Sequence, residues 1–316
     1  MTTTTNPTMS LAEWLLLVVL SVLWGGAFFF VGVIVKTVPP FTVVLWRSGL
    51  AAIALLIYVV LCGGRMPHAP RLWGAFVVLG VLNSLLPHSL IVWGQQYIAS
   101  GLAAILVSTT PLFSVVLTHF WSHEEHITPN RMTGVGLGMC GVVVLIGPEA
   151  LRGLGHHGLG QLAILGAALS YACGGIYGRR FKALSPVVTS AGQLAGTMVL
   201  VLPLALVLEE QPWAIQPSLA VWGAMLGLAL LSTALASLIF FRLLAVAGVT
   251  NVMLVNFLVP VSAVLLGMLA LGERPNWTLC AGMALIFTGL LTMDGRLFSR
   301  GTRLAGRVKN QPLSLK

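Results

Sequence analysis

The chain has 316 residues, of which 57% are hydrophobic and only 8% charged, with 17 Lys and Arg against 8 Asp and Glu for a formal charge of +9. A soluble domain carries about 25% charged residues to keep its surface solvated, so this composition excludes an ordinary soluble globule. The cations punctuate apolar runs and cluster at the C-terminus instead of forming one patch, a pattern that fits a membrane protein and not a nucleic-acid binder.

Crossing about 30 Å of hydrocarbon takes roughly 20 apolar residues in helical form. The first such run is 12–35; no Lys or Arg occurs before Lys36, so it lacks the basic leader of a cleaved signal and reads as a retained anchor. Further runs follow at 41–62, 72–93, 100–120 and 130–147, and then at 158–179, 186–208, 217–240, 250–271 and 276–295. The connectors are short and marked by turn residues: Pro39-Pro40, Gly63-Gly64 with Pro67 and Pro70, Pro129, and Pro212 with Pro217. The prediction is an all-α membrane protein with ten transmembrane helices, an N-terminal tail at 1–10 and a basic tail at 297–316. With the N-terminus inside, 13 of the 17 cations fall on the cytoplasmic side, and only Lys36, Arg47, Arg152 and Arg274 on the other. That bias predicts both termini in the cytoplasm. Trp14, Trp73, Trp121, Trp213, Trp222 and Trp277 fall near helix ends, where an indole can bury its ring and still bond through its N–H.

The sequence repeats itself. Trp73-Gly74-Ala75 recurs 149 positions on as Trp222-Gly223-Ala224, and the same shift carries Pro111 onto Pro260 and Glu124 onto Glu273. A shift of 148 carries Gly134 and Gly141 onto Gly282 and Gly289, and one of 147 carries Trp24 onto Tyr171 and Pro39 onto Pro186. One ordered series along the chain points to duplication, with repeats at 11–150 and 151–296. Five helices is an odd number, so the two copies enter the membrane from opposite sides, the architecture of alternating-access carriers with a site near the bilayer midplane.

Three stretches carry a family resemblance: LWGGAFFFVGVIVKTVPPFTVVLWRSGLAA in the first two helices, TTPLFSVVLTHFWSHEEHITPNRMTGVGLGMCGVVVLIG closing the first repeat, and LVPVSAVLLGMLALGERPNWTLCAGMALIFTGLLTMDG closing the second. Together, over about residues 12–295, they resemble the EamA branch of the drug/metabolite transporter superfamily. The first copy departs from the pattern, with His123-Glu124-Glu125 where Gly-Glu is usual. The resemblance implies two inverted five-helix halves exporting small metabolites, and within the family the chain looks most like exporters of aromatic and other neutral amino acids.

All eight carboxylates lie at helix ends or in loops, so neither a midplane proton relay nor a paired-carboxylate hydrolase is expected. Cys62, Cys140, Cys173 and Cys280 show no metal-ligand spacing; no metal, cofactor or enzymatic activity is expected. Polar residues at membrane depth are the candidates for a cavity shared by the third, fourth, eighth and ninth spans. Asn83, Ser84 and His88 flank Pro87; Ser108-Thr109-Thr110 precede Pro111; Ser232, Thr233 and Ser237 answer Asn83 and its neighbours under the 149 shift; and Asn256 lies four residues before Pro260. The rival reading is that these groups only bond helix to helix.

Asn83, His88, Ser108 and Asn256 are thus the expected substrate contacts, with Trp24 or Tyr171 against an apolar moiety. Pro87, Pro111 and Pro260 are the expected hinges, since a missing N–H lowers the cost of bending. Trp93 and Tyr97 are placed either to line the mouth or to sit in an aromatic belt. Arg47 is read first as structural, snorkelling to the outer interface, and second as a carboxylate receptor. Small-residue stripes at Gly134 and Gly138 and at Gly166, Ser170, Gly174 and Gly178 are expected to pack helices closely. The expected activity is export of small neutral or zwitterionic metabolites, foremost amino acids with apolar or aromatic side chains, from a bacterial inner membrane; a multidrug or other metabolite exporter is the alternative. The expected partners are the small-molecule substrate and the lipid bilayer, with no nucleic acid, and the assembly a monomer or homodimer.

Overall fold

The computed structural model describes residues 9–121, 129–147, 155–209 and 216–294. The expected tails at 1–10 (apart from its last two residues) and 297–316, the His123-Glu124-Glu125 turn, Arg152 and Trp213 lie outside the described residues, as does the side chain of Trp121. Among the described residues there are ten membrane helices and no strand. They are α1 (Leu11–Ile34), α2 (Pro40–Leu61), α3 (Pro70–Gly94), α4 (Ser100–Phe120), α5 (Pro129–Ile146), α6 (His156–Phe181), α7 (Pro186–Leu208), α8 (Leu219–Gly248), α9 (Val255–Leu271) and α10 (Trp277–Met293). The first eight are long and apolar enough to span a membrane; α9 and α10 are shorter and equally free of charge clusters. Large apolar side chains face outward along them, among them Leu61 at 80%, Val199 at 69% and Leu269 at 83% exposure, which only a lipid surround makes favourable.

Local sequence sets the helix ends. Ser10 and Glu13 form a reciprocal capping box that starts α1, so the end of the expected tail is ordered. The eighth helix runs well past the expected limit at 240, because Arg242 is exposed and can reach an interface without ending the helix. It stops where Gly248 takes φ 77° and ψ 164°, a conformation that glycine alone adopts freely. The ninth helix starts at Val255, later than expected, because Met253 and Leu254 form a turn.

Contacts between helices come in mated pairs, as two inverted copies require. α2 packs on α7, and α5 on α10, each on its own counterpart. The other pairs exchange: α1 with α9 and α6 with α4, α3 with α7 and α8 with α2, α3 with α6 and α8 with α1. The α5–α10 seam shows the symmetry atom by atom. A Cβ at Gly134 would meet the Gly289 carbonyl oxygen at 2.5 Å and one at Gly289 the Gly134 carbonyl at 2.5 Å, while Gly141 and Gly282 meet each other's carbonyls at 2.9 and 3.1 Å. Since Gly134 corresponds to Gly282 and Gly141 to Gly289, the two contacts are one contact repeated, the reciprocity of a twofold interface.

This close approach is testable. Overpacking a filled contact costs about 1–3 kcal/mol, so Gly134→Val and Gly289→Val should each lower the unfolding temperature in detergent, followed by tryptophan fluorescence. The double variant should lose less than the sum, because both side chains intrude on one contact; strictly additive losses would mean that the helices do not meet there.

Candidate functional site

The third and eighth helices leave the α register at matched places. Val81–Leu85 and Gly227–Leu235 are π-helical, and the 149-residue shift carries the first segment inside the second. A wider turn exchanges backbone partners, and such segments concentrate at functional sites. In α3, Pro87 has no N–H to give, and the Leu82 carbonyl five residues earlier accepts the Ser170 hydroxyl of α6 at 2.7 Å. In α8 the Leu228 carbonyl accepts the Thr233 hydroxyl at 2.8 Å, and the Thr233 oxygen accepts Arg47 Nε from α2 at 2.9 Å. In α4, the Val107 carbonyl that Pro111 leaves without an amide partner takes the Thr110 hydroxyl at 2.7 Å. Side-chain hydroxyls therefore satisfy the backbone at these three departures from regularity.

Between the two repeats, at the level of the π-helical turns, lies a cavity of about 750 Å³. Its apolar wall includes Trp24, Phe28, Phe240 and Phe241, with the Trp24 and Phe240 rings 5.3 Å apart. Its polar wall includes Asn83, His88, Gln193, Ser232 and Thr233. Among the described residues no Asp or Glu lines it, and its cations are Arg47 in the interior and Lys182 at the mouth.

Among the described residues, the lining of the cavity reaches one face. Helices alternate in direction, so the ends of α6 and α8 and the start of α7 share the face of the described chain ends, and there the cavity runs out past Lys182, Leu184 and Pro186 on one side and Phe241 and Leu244 on the other. The repeat shifts carry this mouth onto residues 35–39 and 92–95 at the opposite face. Those mates are shut: Val35, Val38 and Val92 are buried in one cluster, and Gln95 Nε2 donates to the Phe28 carbonyl at 2.9 Å. Two carboxylates reinforce the sealed face. Glu209, at the end of α7, accepts from the Phe41 and Thr42 amides at 2.6 and 2.8 Å and from the Thr42 hydroxyl at 2.6 Å. Glu273, after α9, accepts from the Ser100 amide and hydroxyl at 2.8 and 2.7 Å and the Gly101 amide at 3.2 Å. Each places an anion on the positive N-terminus of a helix from the other repeat, α2 and α4 respectively.

All six residues expected from sequence to touch substrate, Asn83, His88, Ser108, Asn256, Trp24 and Tyr171, line this one cavity. His88 and Tyr171 stand edge to face at 6.3 Å, and His88 Nδ1 is buried with no hydrogen-bond partner. Ser108 is committed, its proton donated to the Ile105 carbonyl at 2.6 Å, so it can only accept from a ligand. Among the described residues, the Asn256 carboxamide reaches the Met253 sulfur, at 3.6 Å. Of the expected hinges, Pro260 lines the cavity, Pro111 lines a separate recess of about 280 Å³, and Pro87 is buried behind the wall. Trp93 and Tyr97 are off the cavity; Tyr97 contacts Trp93 on one side and stacks on His156 at 5.1 Å on the other. The stripe in α6 has a specific use at Gly174, where a Cβ would fall on the Asn83 carboxamide. Arg47 does not snorkel outward; it turns into the cavity. Gln193 was not anticipated, and its only signal is an amide in the middle of an apolar run.

The sequence model of the EamA-like transporter family matches this chain twice, over residues 12–147 and 158–293. The uncharacterized transporter YoaV of Bacillus subtilis (strain 168) is 25% identical over 281 residues, covering 89% of this chain and 95% of the relative. The uncharacterized inner membrane transporter YedA of Escherichia coli (strain K12) is 27% identical over 286 residues, 88% and 90% of the two chains. A solved crystal structure of a protein superposes with a TM-score of 0.64 at 21% identity, over 92% of this chain and 98% of that one, a likeness of fold.

The carboxylate caps generate a prediction. Losing a helix cap costs roughly 0.5–2 kcal/mol, or about 2- to 30-fold in an opening equilibrium. Glu209→Ala and Glu273→Ala should each raise, within that range, the reaction of a Ser232→Cys probe with an impermeant thiol reagent added at the sealed face. Unchanged labelling of well-folded variants would mean that the carboxylates cap helices without holding that end closed.

Proposed function

Since the chain belongs to the EamA-like transporter family, we propose that it is a secondary carrier exporting small neutral or zwitterionic metabolites, foremost amino acids with apolar or aromatic side chains. The observation that carries this reading is the one-sided cavity, whose mouth at 182–186 and 241–244 has its inverted counterpart packed shut. Exchange of the two repeats' conformations would close the first and open the second, which is alternating access. An aromatic wall with amides and hydroxyls opposite suits a solute that has an apolar body and a compact polar head. Cationic drugs, the rival cargo, would want a carboxylate, and none lines this wall among the described residues.

In this reading the repeats are 11–150 and 151–296, the termini face the cytoplasm of a bacterium in its inner membrane, and the mouth at Lys182 is the loading side for export. The carrier works as monomer or homodimer and needs neither cofactor nor catalysis. Asn83, His88, Ser108 and Asn256 hold the polar head, Trp24 or Tyr171 flanks the apolar part, and bending near Pro87, Pro111 and Pro260 drives the exchange. Gln193 joins the polar contacts, since its side-chain oxygen is 3.5 Å from Asn83 Nδ2.

The test is counterflow of the twenty amino acids in proteoliposomes, without an imposed proton or sodium gradient. Accumulation of a labelled amino acid against unlabelled lumenal substrate is expected; no counterflow of any of them, or flux only under a gradient, would overturn the reading. A buried hydrogen bond lost to truncation costs about 1–3 kcal/mol, so Asn83→Ala and Asn256→Ala should each raise KM by roughly 5- to 150-fold with normal expression.

A further inference from the structure

We infer that Arg47 is the specificity residue of this cavity, receiving the substrate's carboxylate and favouring acids over their amides, esters and amines. The inference rests on the carrier reading above and names the chemical group that the carrier selects.

Three observations converge on it. The guanidinium is aimed: its Nε donates to Thr233 at 2.9 Å, and Thr233 gives its own proton to the Leu228 carbonyl, so the π-helical turn of α8 fixes the orientation of a side chain from α2. That contact is not needed to satisfy the turn, since the Thr233 proton already does so; what it achieves is to hold the arginine. Secondly, the charge is unbalanced. Among the described residues, Arg47 has no other hydrogen bond and no acidic partner, and no carboxylate lines the cavity. A cation at membrane depth is costly unless an anion meets it, and the two terminal nitrogens of a guanidinium match the two oxygens of a carboxylate. Thirdly, other polar atoms beside it are unclaimed. Ser232 Oγ and His88 Nδ1 line the same cavity, buried and without a partner, and each can donate to an anion. The residues come from α2, α3 and α8, so both repeats contribute to the receptor.

A series sharing one phenyl group separates this role from a structural one. Purified protein in detergent would be titrated with phenylalanine, 3-phenylpropionate, phenylalaninamide, phenylalanine methyl ester and phenethylamine, reading binding from the shift in unfolding temperature. The wild type should bind the two acids roughly 10- to 100-fold more tightly than the amide, ester or amine, the range for a lost charge-assisted bond. Arg47→Gln should reduce acid binding to the level of the amide while leaving amide binding unchanged. A merely structural arginine would weaken every ligand alike and leave the acid-to-amide ratio intact, which would overturn the assignment. Equal binding of acid and amide by the wild type, or binding of none of the acids, would overturn it too. Should Arg47→Gln fail to fold, Arg47→Lys and Thr233→Val, which keep a cation but lose the fork or its aim, should each cut the ratio several-fold. Counterflow of a carboxylate-bearing amino acid with an unaltered ratio in these variants would defeat this inference alone; absence of amino-acid counterflow would defeat the carrier reading.

Discussion

In a hydrocarbon surround, every backbone N–H and C=O must find a partner within the protein, because an orphan costs several kcal/mol. This chain meets the constraint with regular helices over most of its length, and three departures from regularity come with a side chain that repairs them. Ser170 answers Leu82, Thr233 answers Leu228, and Thr110 answers Val107. The repairs all fall around the central cavity, which is where backbone irregularity is tolerated inside a membrane. The cavity and the irregular helices thus depend on one another. Hydroxyls inserted to satisfy carbonyls create a polar wall, and the widened turns of α3 and α8 give that wall its room.

The same constraint accounts for the acids. A helix N-terminus carries amides without acceptors, and at the sealed face Glu209 and Glu273 supply them across the boundary between repeats. Caps usually belong to their own helix. Here they are contributed by the other half of the molecule, so satisfying the backbone and joining the halves become one interaction. Glycine pairs on the α5–α10 seam keep the twofold relation tight while the cavity side differs between faces.

Much of this was legible in the sequence, for identifiable reasons. Apolar runs of spanning length fixed ten helices, and Trp73-Gly74-Ala75 with its echo at 222–224 disclosed the duplication, because composition and spacing survive without knowledge of packing. Asn83, His88 and Asn256 stood out as polar groups in apolar runs. The π-helical turns did not, since no residue type marks a change of register. Arg47 was misread as an outward-reaching cation because a charge two turns into a helix looks the same whether it faces lipid or cavity; its orientation depends on Thr233, 186 positions away. Glu209 sits at a helix end like any solvated acid, and its role appears only through Phe41 and Thr42, which lie on the other repeat. What escaped the sequence was contact between halves.

In alternating access the two repeats exchange conformations, so that one mouth opens as its mate closes. Spin labels at 184 and 244 bracket the open mouth, and labels at 37 and 95 bracket its counterpart under the repeat shifts. Pulsed electron resonance distances on the two pairs, with and without a transported substrate, test it most directly. A long 184–244 and a short 37–95 distance are expected in one population and the reverse in a second, with substrate shifting the balance. Both distances long in one population, or a 37–95 distance that never lengthens while transport proceeds, would contradict it.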